Sequence, residues 1–303
     1  MKQLWQRWTN PVLAKEFQWR MRSKKTPWLI SLYLLIMGGI ILTLLFLFKK
    51  GQNWFDPEES MFLFTGLSMV QLLMLSFVVP GITAGVISGE RERQTMPILL
   101  TTTLSSTKIV LSKWLASLSF MILLLVASFP LYIIVFLFGG ISPEQVVKMF
   151  VHFFVTMIFL GSLGIFFSSL IKRTGVATVL AYMTVALIGI GLLVVLYLVT
   201  ILYAAMNPAP SFAQNPPLIA EIVAALHPGI TLLYAQYSQF DFSGLKLSLN
   251  LYDVYITFYS ILSVLLLIGS IYLLSPVRFR IWKWARKTGS TENMHDRDAT
   301  ASE

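Results

Sequence analysis

Six apolar stretches, each long enough to cross a bilayer, constrain this chain more than any other feature. They cover residues 27–48, 61–87, 114–138, 149–171, 176–206 and 251–274. At least about 18 apolar residues with few charges read as a transmembrane helix. A helix is the required form, because hydrocarbon offers the backbone no hydrogen-bond partner. The expected fold is an all-α polytopic membrane protein with six transmembrane helices. The fifth stretch is the longest and is expected to tilt or to emerge early. Composition agrees: 56% of residues are hydrophobic and 12% charged, against about 25% charged in soluble domains.

Lysine and arginine set the orientation. With the N-terminus inside, segments 1–26, 88–113, 172–175 and 275–303 hold nineteen of these residues. The outer segments hold four: Lys49, Lys50, Lys148 and Lys246. This asymmetry places both termini in the cytoplasm, and the expected location is the cell (plasma) membrane, multi-pass. The net charge of +9 is then a topology signal and an attraction to anionic lipid, not a nucleic-acid footprint. The first apolar run, 22 residues long, exceeds the roughly 7–15 of a signal core, so it is expected to stay in the mature protein. Residues 1–275 read as one transmembrane domain and 276–303 as a basic, then disordered, cytoplasmic tail.

Residues 4–22 have a different pattern. Asn10-Pro11 is a helix start, and Leu13, Phe17 and Met21 recur along one face. Lys15, Arg20 and Arg22 lie away from that stripe, Glu16 can pair with Arg20, and Trp5, Trp8 and Trp19 add anchors. The pattern fits an interfacial amphipathic helix on the inner leaflet; the alternative is a solvated basic tail. The outer loop 207–250 begins Pro-rich. It then holds an apolar stretch, Leu218–Leu233, broken by His227-Pro228-Gly229. That stretch is too short to span. It is either a re-entrant or interfacial hairpin or an ordinary surface helix–turn–helix.

Much chemistry is excluded. Cysteine is absent, so disulfides and thiolate sites are ruled out. His152, His227 and His295 lie far apart in sequence, which disfavours a metal cluster. The chain lacks a G-x-x-x-x-G-K-[ST] phosphate loop, an H-E-x-x-H helix and a G-x-S-x-G elbow. No Asp, Glu, Lys or Arg lies deep in a span, so an ion-driven carrier is disfavoured. His152 reads as a packed or interfacial histidine ahead of a proton site. Gly81, Gly85 and Gly89, four residues apart and next to Pro80, make a close-packed face or a hinge. Gly189, Gly191 and Pro130 read as packing or kink positions. The chain is expected to be no enzyme and to hold no cofactor of its own.

The segment 88–113 is where a lipid-soluble body meets water. Gly89 is followed by four alternating charges, Glu90, Arg91, Glu92 and Arg93. Thr95 and Pro97 can start a short helix containing Leu99 and Leu100, and Ser105 or Ser106 can cap a helix that runs through Lys108 and Lys113 into the third span. A short amphipathic helix held between two spans suits docking into a partner's groove; the alternative is a loop resting on headgroups. The run Gly89-Glu90-Arg91-Glu92-Arg93-Gln94-Thr95, then Leu99-Leu100, Thr102, Leu104-Ser105 and Ser112-Lys113, resembles the corresponding loop of ABC-2-type permeases, the membrane subunits of ATP-binding-cassette transporters. Asn10-Pro11-Val12-Leu13-Ala14-Lys15-Glu16-Phe17 resembles that family's opening helix. Gln94, Thr103 and Ser112 depart from it, standing where glycine, proline and glycine are usual.

The resemblance implies a permease subunit, an exporter, coupled through loop 88–113 to a separate ABC ATPase subunit that binds ATP-Mg. The coupling residues would be Gly89, Glu90, Arg91, Glu92, Arg93, Thr95, Leu99, Leu100, Leu104 and Lys113. Leu13, Lys15, Glu16, Phe17 and Arg20 would form the connecting helix. A second permease copy or a related permease would complete the pathway, surrounded by membrane lipid, and its substrate route would be lined by spans including one, two and five. The alternatives are a non-transporting membrane scaffold or sensor coupled to the same kind of ATPase, or a secondary carrier.

Overall fold

The computed structural model describes residues 25–48, 57–95, 105–206, 217–237 and 250–275. Each apolar stretch is a helix, and no strand occurs among the described residues. The first two spans are α1 (Lys25–Phe48) and α2 (Pro57–Thr83); a short α3 (Ser88–Glu92) follows α2 after a turn. The third and fourth spans are α4 (Ser106–Leu137) and α5 (Pro143–Leu170). The fifth span is α6 (Thr174–Ala186), a π-helical turn (Leu187–Gly191) and α7 (Leu192–Met206). A bent pair, α8 (Leu218–Leu226) and α9 (Pro228–Tyr237), precedes the sixth span, α10 (Leu251–Leu274). The expected interfacial helix 4–22, with Leu13, Lys15, Glu16, Phe17 and Arg20, and the tail 276–303 lie outside the described residues.

α5 is the central post of the bundle. It packs against α2, α4, α6, α9 and α10. Of its most apolar window 67% is buried, whereas none of the fifth span's is. The helix starts six residues before the expected Met149, because Ser142-Pro143-Glu144-Gln145 builds a capping box. Ser142 Oγ accepts the Gln145 amide and Gln145 Oε1 accepts the Ser142 amide, which satisfies two orphan donors. Small residues then let the neighbours close in. A Cβ on Gly164 would lie 1.9 Å from Thr83 Oγ1 and 3.1 Å from the Ala84 backbone nitrogen. His152 is fully buried and stacks on Tyr255, with ring centroids 4.4 Å apart and 17° between planes. It is a packing residue of the interface between α5 and α10.

The second span differs from the uninterrupted run to Ile87 that its apolarity suggests. Regular α-helix ends at Thr83. The Val86 amide bonds back only three residues, to the Thr83 carbonyl at 3.2 Å. The Ile87 and Ser88 amides turn to Ser168 Oγ on α5, at 2.8 and 2.9 Å. The glycine spacing seen in the sequence lies against the fifth span: a Cβ on Gly81 would lie 2.7 Å from the Tyr182 hydroxyl, and one on Gly85 3.0 Å from Thr174 Cγ2. A close-packed face and a break in the helix therefore coexist within the same few residues.

The stretch Leu218–Leu233 falls on the bent pair. α8 and α9 meet at 97°. His227, at the bend, has Nε2 2.9 Å from the Gly189 carbonyl. Gly189 lies in the π-turn, about 25 Å along the fifth span from Met206 at 1.5 Å per residue. The Tyr259 hydroxyl of α10 donates to the Leu226 carbonyl at 2.8 Å. The hairpin tip thus packs against the middle of the fifth span and against α10.

Candidate functional site

The end of the bundle at α3 gathers most of the charged residues singled out in the sequence. α4 begins at Ser106, eight residues before the apolar run suggests, because Ser105 Oγ accepts the Lys108 amide at 3.4 Å and caps it. Its first turns carry Ile109, Val110 and Lys113 inward. Ile109 and Val110 form, with Ile87, Ile165 and Leu274, a small apolar cluster separate from the main core. Lys113 is 3% exposed beside that cluster, and its Nζ lies 3.0 Å from Glu90 Oε1. A buried ammonium needs such a partner.

Arg91 and Glu92 are likewise engaged within the chain. Arg91 Nη1 donates to the Ser169 carbonyl near the end of α5 at 2.8 Å. Glu92 receives the Thr174 amide on Oε1 at 2.8 Å and the Thr174 hydroxyl on Oε2 at 2.5 Å. Thr174 opens α6, whose N-cap residue, Arg173, supplies no side-chain cap. Glu92 therefore caps α6 from another segment, placing a carboxylate at the positive end of the helix dipole. Gly89 passes close to the same threonine: a Cβ there would lie 3.9 Å from Thr174 Oγ1.

α3 ends in a Schellman motif. The Thr95 amide bonds the Glu90 carbonyl at 3.0 Å, and the Gln94 amide bonds the Arg91 carbonyl at 3.1 Å. This closure needs a left-handed residue at the position of Gln94, and Gln94 has φ = 57°. The Thr95 hydroxyl points back to the Glu90 carboxylate; the short helix expected after it, from Pro97, lies outside the described residues. Leu99, Leu100 and Leu104 lie outside the described residues.

These contacts tune the two carboxylates, which lie beyond the last apolar residue of the second span, Ile87. Partial burial pushes the Glu90 carboxyl up, but the Thr95 hydroxyl and the Lys113 ammonium outweigh it and hold the group below its ordinary value. The Thr174 hydroxyl and amide, aided by Arg173, hold the Glu92 carboxyl below its ordinary value as well. Both are anionic at neutral pH. Glu92, Arg93 and Gln94 are solvent-exposed, as are Lys108, Lys172 and Arg173, so a basic rim surrounds the clamped turn.

The structure brings Gly89, Glu90, Arg91, Glu92 and Lys113 into one cluster. Sequence reasoning missed their anchors, Ser168, Ser169 and Thr174. The available signal was local: a serine pair closing an apolar run, then Lys172-Arg173 and a threonine at the next helix start. Among the described residues, no three His, Cys, Asp or Glu converge as metal ligands.

Comparison with known proteins gives the family. The profile described as "ABC-2 family transporter protein" matches residues 10–281. No curated protein matches the chain. With that match along most of its length and, among the described residues, six helices of membrane-crossing length and apolarity, the chain belongs to the ABC-2 transporter family, as a multi-pass membrane component.

Proposed function

We propose that this protein is the permease subunit of an ABC exporter, with loop 88–113 on the cytoplasmic side coupling it to a separate ATPase. The observation that carries this reading is the set of ties from one five-residue turn to three spans. Lys113 on α4, Ser169 on α5 and Thr174 on α6 are all held by consecutive residues of α3. A load applied at this turn is transmitted to the third, fourth and fifth spans together. Closure of a docked ATPase dimer on ATP-Mg would move them as a body, and the permease would interconvert between two packings that the ATPase biases.

In this reading Glu90, Arg91 and Glu92 keep the turn rigid, while Arg93 and the rim formed by Lys108, Lys172 and Arg173 face the partner, with Leu99, Leu100 and Leu104 supplying its apolar contact. The interfacial helix with Leu13, Lys15, Glu16, Phe17 and Arg20 would press on the same ATPase. A second permease copy or a related permease would complete the path. The test is co-expression with the candidate ATPase, affinity capture from detergent, and ATP hydrolysis in liposomes. Leu99→Asp should abolish capture while leaving membrane insertion intact. Glu92→Ala should retain capture and lose substrate-stimulated hydrolysis. Full capture by Leu99→Asp, or full stimulation in Glu92→Ala, overturns the assignment.

A further inference from the structure

The His227-Pro228-Gly229 bend is a motif that the coupling role leaves unused. Both ring nitrogens of His227 meet groups whose hydrogen-bonding roles are fixed. The Ile230 amide, which can only donate, lies 3.1 Å from Nδ1. The Gly189 carbonyl, which can only accept, lies 2.9 Å from Nε2. Nδ1 therefore presents a lone pair and Nε2 carries the proton, so the ring is neutral and in one defined tautomer. Gly229 lets the ring fold back over its own chain, since a Cβ there would lie 3.0 Å from His227 Cε1.

The bond to Gly189 ties the hairpin to the π-turn of the fifth span, where the Leu192 amide reaches five residues back to the Leu187 carbonyl. Such turns concentrate at functional positions. The far end of α6 is held by Glu92 through Thr174. The first half of the fifth span thus runs between two ties, one to the turn α3 and one to the hairpin. The hairpin's bond to α10, from the Tyr259 hydroxyl to the Leu226 carbonyl, involves no group that changes charge between about pH 5 and pH 8.

We propose that His227 is a pH-sensitive latch: neutral, it holds the α8–α9 hairpin on the π-turn of the fifth span; protonated, it lets the hairpin go. A second proton goes onto Nδ1 and sets an N–H against the Ile230 N–H, which leaves that amide without its acceptor. His227 borders a cavity of about 770 Å³ between the second and fifth spans, the side from which a proton arrives. No Asp, Glu, Lys or Arg is among the lining residues, so no carboxylate there compensates the new charge. The titratable groups beside the ring in that lining are Tyr182 on α6 and Tyr255 and Tyr259 on α10. Tyr182 donates to the Phe77 carbonyl at 2.6 Å, and Tyr255 shares a bond of 2.8 Å with Thr156. His152 on α5 stacks on Tyr255, and α8 itself carries the buried Glu221. The acids of α2, α5 and α10, namely Glu58, Glu59, Glu144 and Asp253, sit in the first turns of those helices. The latch is built wholly within this chain and holds whether or not loop 88–113 meets an ATPase.

The test uses the full chain alone in phosphatidylethanolamine–phosphatidylglycerol vesicles, with isotope-labelled histidine and solid-state NMR. The signals lost in His227→Gln identify the ring. Should that variant fail to fold, carbonyl-labelled glycine in the wild type identifies it through the contact of Nε2 with Gly189. At about pH 8 the ring should be neutral with its proton on Nε2, and between about pH 8 and pH 5 the imidazolium should replace it. Over the same interval amide protection across residues 228–233, corrected for intrinsic exchange, should fall about tenfold, the order expected for the loss of hydrogen bonds to the ring. His227→Gln keeps a donor for Gly189 and does not titrate, so its protection should stay level. Four results would each overturn the proposal: a proton on Nδ1 at the alkaline end, a ring that stays neutral throughout, protection unchanged once the ring is charged, or a wild-type pH dependence in His227→Gln. The last would move the switch to His152 or Glu221. No ATPase takes part, so the outcome stands apart from the coupling test.

Discussion

Glu90 and Lys113 are 23 residues apart in sequence and meet at 3.0 Å, joining the turn after the second span to the base of the third. Lys113 is almost fully buried, while the Glu90 side chain is 26% exposed. Removing Glu90 leaves a buried ammonium without this carboxylate. Glu90→Ala should destabilise the protein by about 2 kcal/mol, below the roughly 3–5 kcal/mol of a fully buried pair because Glu90 is partly solvated. The double variant Glu90→Gln/Lys113→Met should recover most of that loss. Thermal unfolding midpoints in detergent check both, and an unchanged midpoint in Glu90→Ala refutes the role assigned to the pair.

The same pair sets an acid limit. The folded-state value of Glu90 lies below its ordinary 4.5, so its contribution is complete above that value and fades as pH falls through the lower folded value. Glu90→Gln should therefore lose less stability than wild type between about pH 5 and pH 3. Melting midpoints across that range provide the comparison. Parallel curves for the two proteins would show that the carboxylate does not contribute in this way.

Gln94 holds a left-handed conformation that suits glycine. Gln94→Gly relieves about 1–2 kcal/mol of backbone strain, partly offset by the greater unfolded-state freedom of glycine. The net expectation is stabilisation of about 0.5–1 kcal/mol, read as a higher melting midpoint. A lower midpoint would mean that the Schellman closure of α3 is not as described.

Gly164 lets α5 lie against Thr83 and the backbone of Ala84. Gly164→Ala should cost about 1–3 kcal/mol through overpacking. Thr83→Ala should rescue it only in part, because the Thr83 Cβ itself would lie 2.7 Å from the new methyl; Thr83→Gly should rescue it further. Equal rescue by both would remove the argument from Cβ contact.

Ser168 Oγ receives two backbone amides that the break in the second span releases from the helical ladder. Ser168→Ala leaves those donors buried and unmet, at about 1–3 kcal/mol. Amide exchange should rise locally over residues 85–90 while the midpoint of α5 stays protected. Unchanged exchange there would show that the break is held by other contacts.

Part of this architecture was legible before any coordinates. Membrane-length apolar runs announce helices whatever their neighbours are, because the bilayer forbids unpaired backbone. Ser105 read as a cap and is one. The Ser142–Gln145 capping box was equally readable and was passed over because the apolar run starts later. Glycine is usual in the family where Gln94 stands, and the left-handed φ of Gln94 supplies the reason. By contrast, the alternating charges of α3 read as a surface for a partner, yet Glu90, Arg91 and Glu92 bond to Lys113, Ser169 and Thr174. Local sequence records that a residue is charged, not which distant group will stand beside it.

The amino-acid sequence by itself determined the number of spans, their helical form, the basic asymmetry of the loops and the family, since each follows from local hydropathy, charge or motif. Only the tertiary structure decided that the second span breaks at Ala84–Ile87 onto Ser168, that the His227 hairpin reaches Gly189, and that a cavity opens beside it between the second and fifth spans. Those features depend on which helices become neighbours. Packing between segments far apart in the chain selects the hydrogen-bond partners that individual segments leave open.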